Sequence, residues 1–251
     1  MQFIRRSAVG VLILFLLSGA ISYAQRGRFN SNSAALNNTP PENSEFVLAR
    51  WHYTAGWGGG GWVHDFPTAE EHITQIMNET TGIRTNRLSY RIVELDSPEI
   101  FKYPFSYVSE PGEMRLTDHE IENLREYIER GGFVMIDDFG GQRTPEIEFE
   151  HFQANLIRAF PGREMFRLTD EHPLLHVFYD VDGLYMEHPM TYVKADFFGF
   201  EDSKGRLAMI ICFNNDVGDY WEFIDQPVYR LKPSAEALKL GINFVMYSMT
   251  H

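Results

Sequence analysis

The chain predicts an α/β fold, a mostly parallel central sheet with helices on both faces, and three features carry that prediction. Short apolar runs alternate with longer amphipathic stretches in the order β-α-β-β-α-β-α through about residue 160, as in strands joined by crossover helices. The run Phe133-Val134-Met135-Ile136 is continuously apolar and too short for a helix, which suits a parallel strand covered on both faces. Helices are punctuated by Thr-x-x-Glu starts and glycine stops, the signals that cap and end them.

The first residues read as an export leader. Arg5 and Arg6 precede an apolar run from Val9 to Leu17, and Ser22-Tyr23-Ala24 is a small-x-small cleavage pattern; together they mark residues 1–24 as a signal peptide cut after Ala24. An uncleaved N-terminal anchor is the alternative, and either way the domain is expected outside the cytoplasm, periplasmic or secreted. Residues 25–44 are rich in Asn, Ser and Pro without apolar periodicity, the composition of a disordered linker. A single α/β domain is then expected over residues 45–251.

Within it, Phe46 to Tyr53 predicts the first strand, followed by a glycine loop carrying Trp57 and Trp62. Thr68 with Glu71 predicts a capping box for a helix whose Ile73, Ile76 and Met77 share a face, and Gly82 is placed to end it. Strands are expected within Leu88–Leu95 and Phe105–Val108. A helix follows, opened by Thr117 with Glu120, striped by Ile121, Leu124 and Ile128, and stopped at Gly131. After the Phe133–Ile136 strand a helix is expected over roughly residues 146–160, with Phe149, Phe152, Leu156 and Phe160 on one face. The second half predicts short strands near Met165–Leu168 and Tyr192–Phe200, a turn at Asp202–Gly205 and a buried strand Leu207–Phe213. An acid- and amide-rich loop, Asn214 to Glu222, and a deeply packed helix from Ser234 to about Met249 complete the chain.

The chain has a net charge of −13, and loss of Arg5 and Arg6 with the leader makes it more negative. Such acidity argues against nucleic acid and anionic lipid as partners. The single cysteine, Cys212, lies in an apolar strand and is expected to be buried and inert.

Ligands of open α/β sheets bind outside the carboxyl ends of the strands, so Asp137 and Asp138, directly after Ile136, are the first candidate site residues. Three roles fit them: a structural cap and ion pair, hydrogen bonding to sugar or peptide groups, or acid–base and metal chemistry through split carboxyl pKa values. Adjacent strand residues face opposite ways, so one of the two is expected to face the crevice. Gly56, Gly58 and Gly61 spell G-x-G-x-x-G, but the following helix starts too late for a dinucleotide fingerprint. A mobile flap presenting Trp57 and Trp62 for stacking fits better. Trp51 and His52 at the end of the first strand, and His188 in Glu187-His188-Pro189, complete the local candidates. No H-E-x-x-H or C-x-x-C pattern supports zinc. Asn215 and Asp216 form another wall of the crevice, and their loop admits a divalent cation such as calcium without a regular EF-hand spacing. No other cofactor is expected.

Phe46 through the tryptophan–glycine loop, Gly131-Gly132-Phe133 with its two aspartates, Gly205-Arg206-Leu207, Asn215-Asp216 and the terminal Gly241-Ile242-Asn243 helix together resemble the bacterial domain of unknown function 4159 family. The resemblance spans residues 45–250. That family is similar in fold to class I glutamine amidotransferase-like proteins, so the resemblance implies a flavodoxin-like sandwich; it implies little about activity, since one fold hosts many functions. Amidotransferases of that group carry a nucleophilic cysteine on the turn after a buried strand. Here that turn is Ile136-Asp137-Asp138-Phe139-Gly140, and without a thiolate a glutaminase mechanism fails.

Two functional classes follow. The first is a non-catalytic exported domain that binds a small-molecule, carbohydrate or peptide ligand, or assembles with another envelope protein. The second is a carbohydrate- or peptide-directed hydrolase using Asp138 with His52 or His188.

Overall fold

Strand order explains where this molecule keeps its polar centre. The computed structural model describes residues 33–56, 60–140, 145–181, 184 and 186–251. The expected leader and Trp57, with the middle of its flap, lie outside the described residues. A helical turn, Ser33–Leu36, belongs to an N-terminal unit ending at Asn37.

The second unit, Asn38–His251, is built on a seven-stranded sheet in the order β2-β1-β3-β4-β7-β6-β5. Its strands are β1 (Leu48–His52), β2 (Tyr90–Glu94), β3 (Phe105–Val108), β4 (Phe133–Ile136), β5 (Phe166–Arg167), β6 (Asp196–Glu201) and β7 (Leu207–Phe213). The first five in spatial order run parallel, while β6 and β5 are antiparallel additions at one edge. The chain leaves β1 to one side for β2 and returns to the other for β3. That reversal makes the β1/β3 boundary a topological switch point, where a crevice opens at the carboxyl ends.

Period-two side-chain alternation splits the core in two. In β4, Phe133 and Met135 join one apolar cluster with helices α1 (Thr68–Thr81), α4 (Val217–Glu222) and α5 (Leu231–Thr250). Val134 and Ile136 join the other with α2 (Asp118–Glu129) and α3 (Pro145–Ala159). Each face is thereby covered, as the uninterrupted apolar composition of β4 requires. Among the described residues no helix is long and apolar enough to cross a membrane.

The capping signals divide. Thr117 and Glu120 form the reciprocal box expected of α2, and Gly82 ends α1 in the left-handed conformation at φ 79°. Thr68 does not cap α1: it lies inside the first turn, and Pro67 occupies the cap position without a side-chain bond. The amides of Ala69 and Glu71 are met instead by the carbonyls of Asp65 and Pro67, both at 2.9 Å.

Two further expectations are corrected. The segment 214–222 is not all loop, because Asp216 Oδ1 accepts the Asp219 amide at 2.9 Å and starts α4. The expected linker also runs too far, since residues from Asn38 onward pair with the sheet's edge. Asn38 Nδ2 donates to the carbonyls of Leu88 and Tyr90 at 2.8 and 2.7 Å, and the Ser44 and Ser89 hydroxyls lie 2.9 Å apart. β2 is a terminal strand whose open side needs hydrogen-bond partners, and a polar Asn/Ser segment can supply them.

Candidate functional site

Arg50 lies fully buried in β1 and organises the loop above it. Its guanidinium pairs with Glu70 of α1, which is also buried. Nη1 donates to the carbonyls of Trp62 at 2.9 Å and His64 at 2.8 Å, and the group sits 4.5 Å from the centre of the Tyr107 ring. Burying a charge demands such partners, and satisfying them fixes the path of the chain from Trp62 to Asp65.

That path brings His64 and Asp65 over the strand ends. His64 Nδ1 lies 3.1 Å from Glu110 Oε1, just beyond β3, and 3.3 Å from Asp138 Oδ2, just beyond β4. Asp65, Asp138 and Asp216 form a second group, and Asp65, Asp219 and Glu222 a third, with ligand atoms within 4.8 Å of one another in each. Asp138 is shared by the first two and Asp65 by the last two. Asp138 is oriented by the Ser109 hydroxyl, which donates to Oδ2 at 2.9 Å, and Asp219 accepts from the Tyr229 hydroxyl.

Asp137 is turned elsewhere. Its Oδ2 accepts the Tyr107 hydroxyl at 3.0 Å and the Gly218 amide at 2.8 Å, a role that ties β3 and α4 to β4. Asp138, by contrast, takes part in two of the three groups.

Backbone strain concentrates here. Among the described residues five that are not glycine have positive φ, and four of them surround this centre: Asp65, Glu110, Asp138 and Asn214. Each left-handed conformation costs on the order of 1 kcal/mol, and such costs gather where surrounding structure holds a functional geometry.

The carboxyl groups are held away from their ordinary ionisation. Burial, then the charge of Asp138, raises Glu110 to about 7. Burial raises Asp137 to about 7 despite the Gly218 amide, and Asp219 also stands at about 7, chiefly through burial. Asp65 and Asp216 are pushed well above the carboxylate range by burial and by neighbouring carboxylates. Burial opposes a charge on His64, but its contacts with Asp138 and Glu110 outweigh that and raise it to about 11. His64 is thus an imidazolium beside the acids it faces.

Asp65 Oδ2 is sealed from solvent and accepts no hydrogen bond among the described residues. Glu110 is also sealed, with 2 % of its side chain exposed, and its Oε1 faces His64 Nδ1 at 3.1 Å. A sealed oxygen without a donor carries a desolvation penalty that a donor or a cation would relieve. Carboxylate oxygens with one imidazole suit hard divalent ions.

The remaining sequence candidates separate from this centre. Trp51 is fully buried and packs edge-on against Tyr127 at 5.1 Å, so it is core rather than ligand surface. His52 does not pair with Asp138: its Nδ1 lies 2.6 Å from Glu94 Oε2, because the register sets His52 beside Glu94 at the end of β2. Trp62 packs on the His52 ring at 4.4 Å. His52, Tyr53, Thr54, Glu94, Asp96 and Glu120 line an open cleft of about 230 Å³.

Asn215 is buried, its carbonyl accepting the Phe139 amide at 3.1 Å and its Oδ1 the Asp216 amide at 3.0 Å. It is a structural support to its neighbour Asp216. His188 is buried, with Nδ1 facing the amides of Met190 and Thr191 at 3.2 and 3.3 Å. Burial lowers its pKa against the opposing charge of Asp138, so it lies within reach of that carboxylate while its Nδ1 holds its own turn. Cys212 is buried in β7, and burial pushes its thiol far up.

Residues 47–249 match the model of the family described as Domain of unknown function (DUF4159). The chain belongs to that family. No curated protein matches it. In this DUF4159 domain the residues that sequence reasoning missed are His64, Asp65 and Glu110, while Asp219 and Glu222 lie in the acid-rich stretch expected to admit a cation. Glu110 was recoverable, since it stands two residues beyond a strand predicted to end at Val108. His64 and Asp65 were not, because eleven residues separate His64 from His52 and no local pattern says where that segment returns.

Proposed function

We propose that this DUF4159 domain is a non-catalytic, exported binding module whose polar centre at the sheet's carboxyl edge takes a hard divalent cation. One observation carries the reading: Asp65 Oδ2, sealed and without a donor, within two groups of carboxylates drawn from the segments that follow β1, β4 and β7. Unrelieved like charges at that density oppose folding, and a bound cation offsets them. The cation would in turn order the loops that a small-molecule, carbohydrate or peptide ligand, or an envelope partner, meets. The open cleft lined by His52, Tyr53, Glu94 and Glu120 supplies an aromatic and polar wall for such a ligand.

The parallel strand order β2-β1-β3-β4-β7 supports a flavodoxin-like topology, and with it the likeness to amidotransferase-like proteins. A glutaminase role is disfavoured, since the turn after β4 carries Asp137 and Asp138 and Cys212 is buried in β7. Arg5, Arg6 and the apolar run after them support export.

The test is thermal unfolding of the chelator-treated chain with added Mn²⁺, Mg²⁺ or Ca²⁺. Binding at about a hundred times Kd adds about 2.7 kcal/mol, so a clear rise in Tm is expected, and Asp138→Asn should remove it. An unchanged Tm at millimolar concentrations of all three ions would refute the cation reading.

A second reading is a carbohydrate- or peptide-directed hydrolase. It is favoured by the 3.3 Å contact of His64 with Asp138 and by His64 being 45 % exposed at its side chain. In that case His64 takes the part that sequence reasoning gave to His52 or His188. Turnover of a glycoside or peptide library that disappears in His64→Gln would support it.

A further inference from the structure

The three groups of ligands overlap, and the overlap is more specific than a simple patch of acid. His64, Glu110 and Asp138 make one set, containing a nitrogen; Asp65, Asp138 and Asp216 make the next, all oxygen. Ligand atoms bonded at about 2.1 Å to one octahedral ion sit about 3 Å apart. The 3.1 and 3.3 Å separations around His64 Nδ1 match that edge length. Asp65 also closes a third set with Asp219 and Glu222, which adds further oxygens.

Charge points the same way. The sets together hold six carboxyl groups and one histidine, and once ions displace their protons a single divalent cation would leave most of that charge uncompensated. The nearest buried guanidinium, Arg50, is already committed to Glu70. One atom shows where compensation is wanting: Asp65 Oδ2 in the oxygen sets, sealed and without a hydrogen-bond donor among the described residues, while Glu110 Oε1 in the nitrogen set faces the His64 ring at 3.1 Å. The nitrogen set and the first oxygen set have only Asp138 in common, so the ligands define two positions that share one carboxylate.

We infer that the centre holds two divalent cations bridged by the Asp138 carboxylate, one on Glu110 and His64, whose Nδ1 proton is released to solvent as the ion binds, and the other on Asp65 and Asp216. This rests on the cation reading above and refines it. The imidazole-bearing position favours Mn²⁺ or another transition ion, and the all-oxygen position accepts Mg²⁺, Ca²⁺ or Mn²⁺. Paired ions that share a carboxylate lie about 3.5–4 Å apart, close enough for their electron spins to couple.

Mn²⁺ titration of the chelator-treated full chain, followed by calorimetry and electron paramagnetic resonance, tests it. The expected result is two Mn²⁺ per chain with a spin-coupled spectrum. His64→Gln should leave one ion in the oxygen set. Asp216→Asn, which keeps a residue able to cap α4, should leave one ion in the His64 set. Both variants should give isolated-ion spectra. One Mn²⁺ per wild-type chain with an uncoupled spectrum would overturn the bridged pair while leaving a single-cation site standing. No bound Mn²⁺ would overturn both. The wild-type count decides the matter even if a variant fails to fold.

Discussion

At Gly218 a single added carbon decides whether the centre can form. A Cβ there would lie 2.4 Å from the Tyr107 hydroxyl and 2.6 Å from Asp65 Oδ2, closer than non-bonded atoms approach. Gly218→Ala is therefore expected to displace Asp65 and to loosen the tie from Tyr107 to Asp137. Measured by thermal unfolding, it should lower Tm and abolish the cation-induced rise; a variant with a wild-type response to Mn²⁺ would contradict the close approach. Arg50 acts at the same scale from beneath. Removing it leaves Glu70 as an uncompensated buried carboxylate and frees the carbonyls of Trp62 and His64. Arg50→Ala should cost about 3–5 kcal/mol in denaturant unfolding, and a loss under about 1 kcal/mol would mean the pair contributes as little as an exposed one.

Helix starts separate by what their first residues touch. Thr117 accepts the Glu120 amide and Glu120 returns the bond to the Thr117 amide, whereas Thr68 caps nothing. Thr117→Ala should cost about 1 kcal/mol, while Thr68→Ala should fall within about 0.5 kcal/mol of wild type. Equal losses at the two positions would show that the shared Thr-x-x-Glu spelling, not the hydrogen bonds, sets the effect. Glu120 carries a second duty, because its Oε1 accepts the Thr54 amide at 2.6 Å. The cap of α2 thus holds the chain leaving β1, and the wall of the open cleft depends on it.

For the whole molecule the buried acids set the response to pH. Glu110, Asp137 and Asp219 each stand at about 7 in the folded chain, above their ordinary values near 4. A raised carboxyl pKa means that the folded state binds more protons than the unfolded one, so stability falls as pH rises through this interval. His64, facing Asp138 and Glu110, is raised to about 11. Its contribution is complete below its ordinary value and is lost only as pH climbs toward 11, so it does not reverse the trend. The lowered carboxyls Glu129 and Asp202 act in the opposite sense, at pH values below about 4. In chelator, Tm is therefore expected to fall between about pH 5 and pH 8, and cation should restore it at the upper end because ions and protons compete for the same oxygens. A Tm that rises across that interval without cation would contradict the raised carboxyl values.

The sequence by itself determined what repeats locally. Continuous apolar runs specify strands buried on both faces, and β4 with Asp138 at its carboxyl end follows from residues 131–141 alone. A reciprocal Thr117–Glu120 box, the glycine stop at Gly82 and the burial of Cys212 need no more than their neighbours. Tertiary structure decided everything that depends on which strands lie side by side. Only the order β2-β1-β3-β4-β7 brings Glu110, Asp138 and Asp216 to one place, and only Arg50 beneath the loop folds His64 and Asp65 over them. The same order pairs His52 with Glu94 and buries Trp51, against local expectation. Periodicity records which face of a strand is apolar, but a loop held by left-handed residues and a buried guanidinium has no period, so its destination is written in contacts between distant parts of the chain.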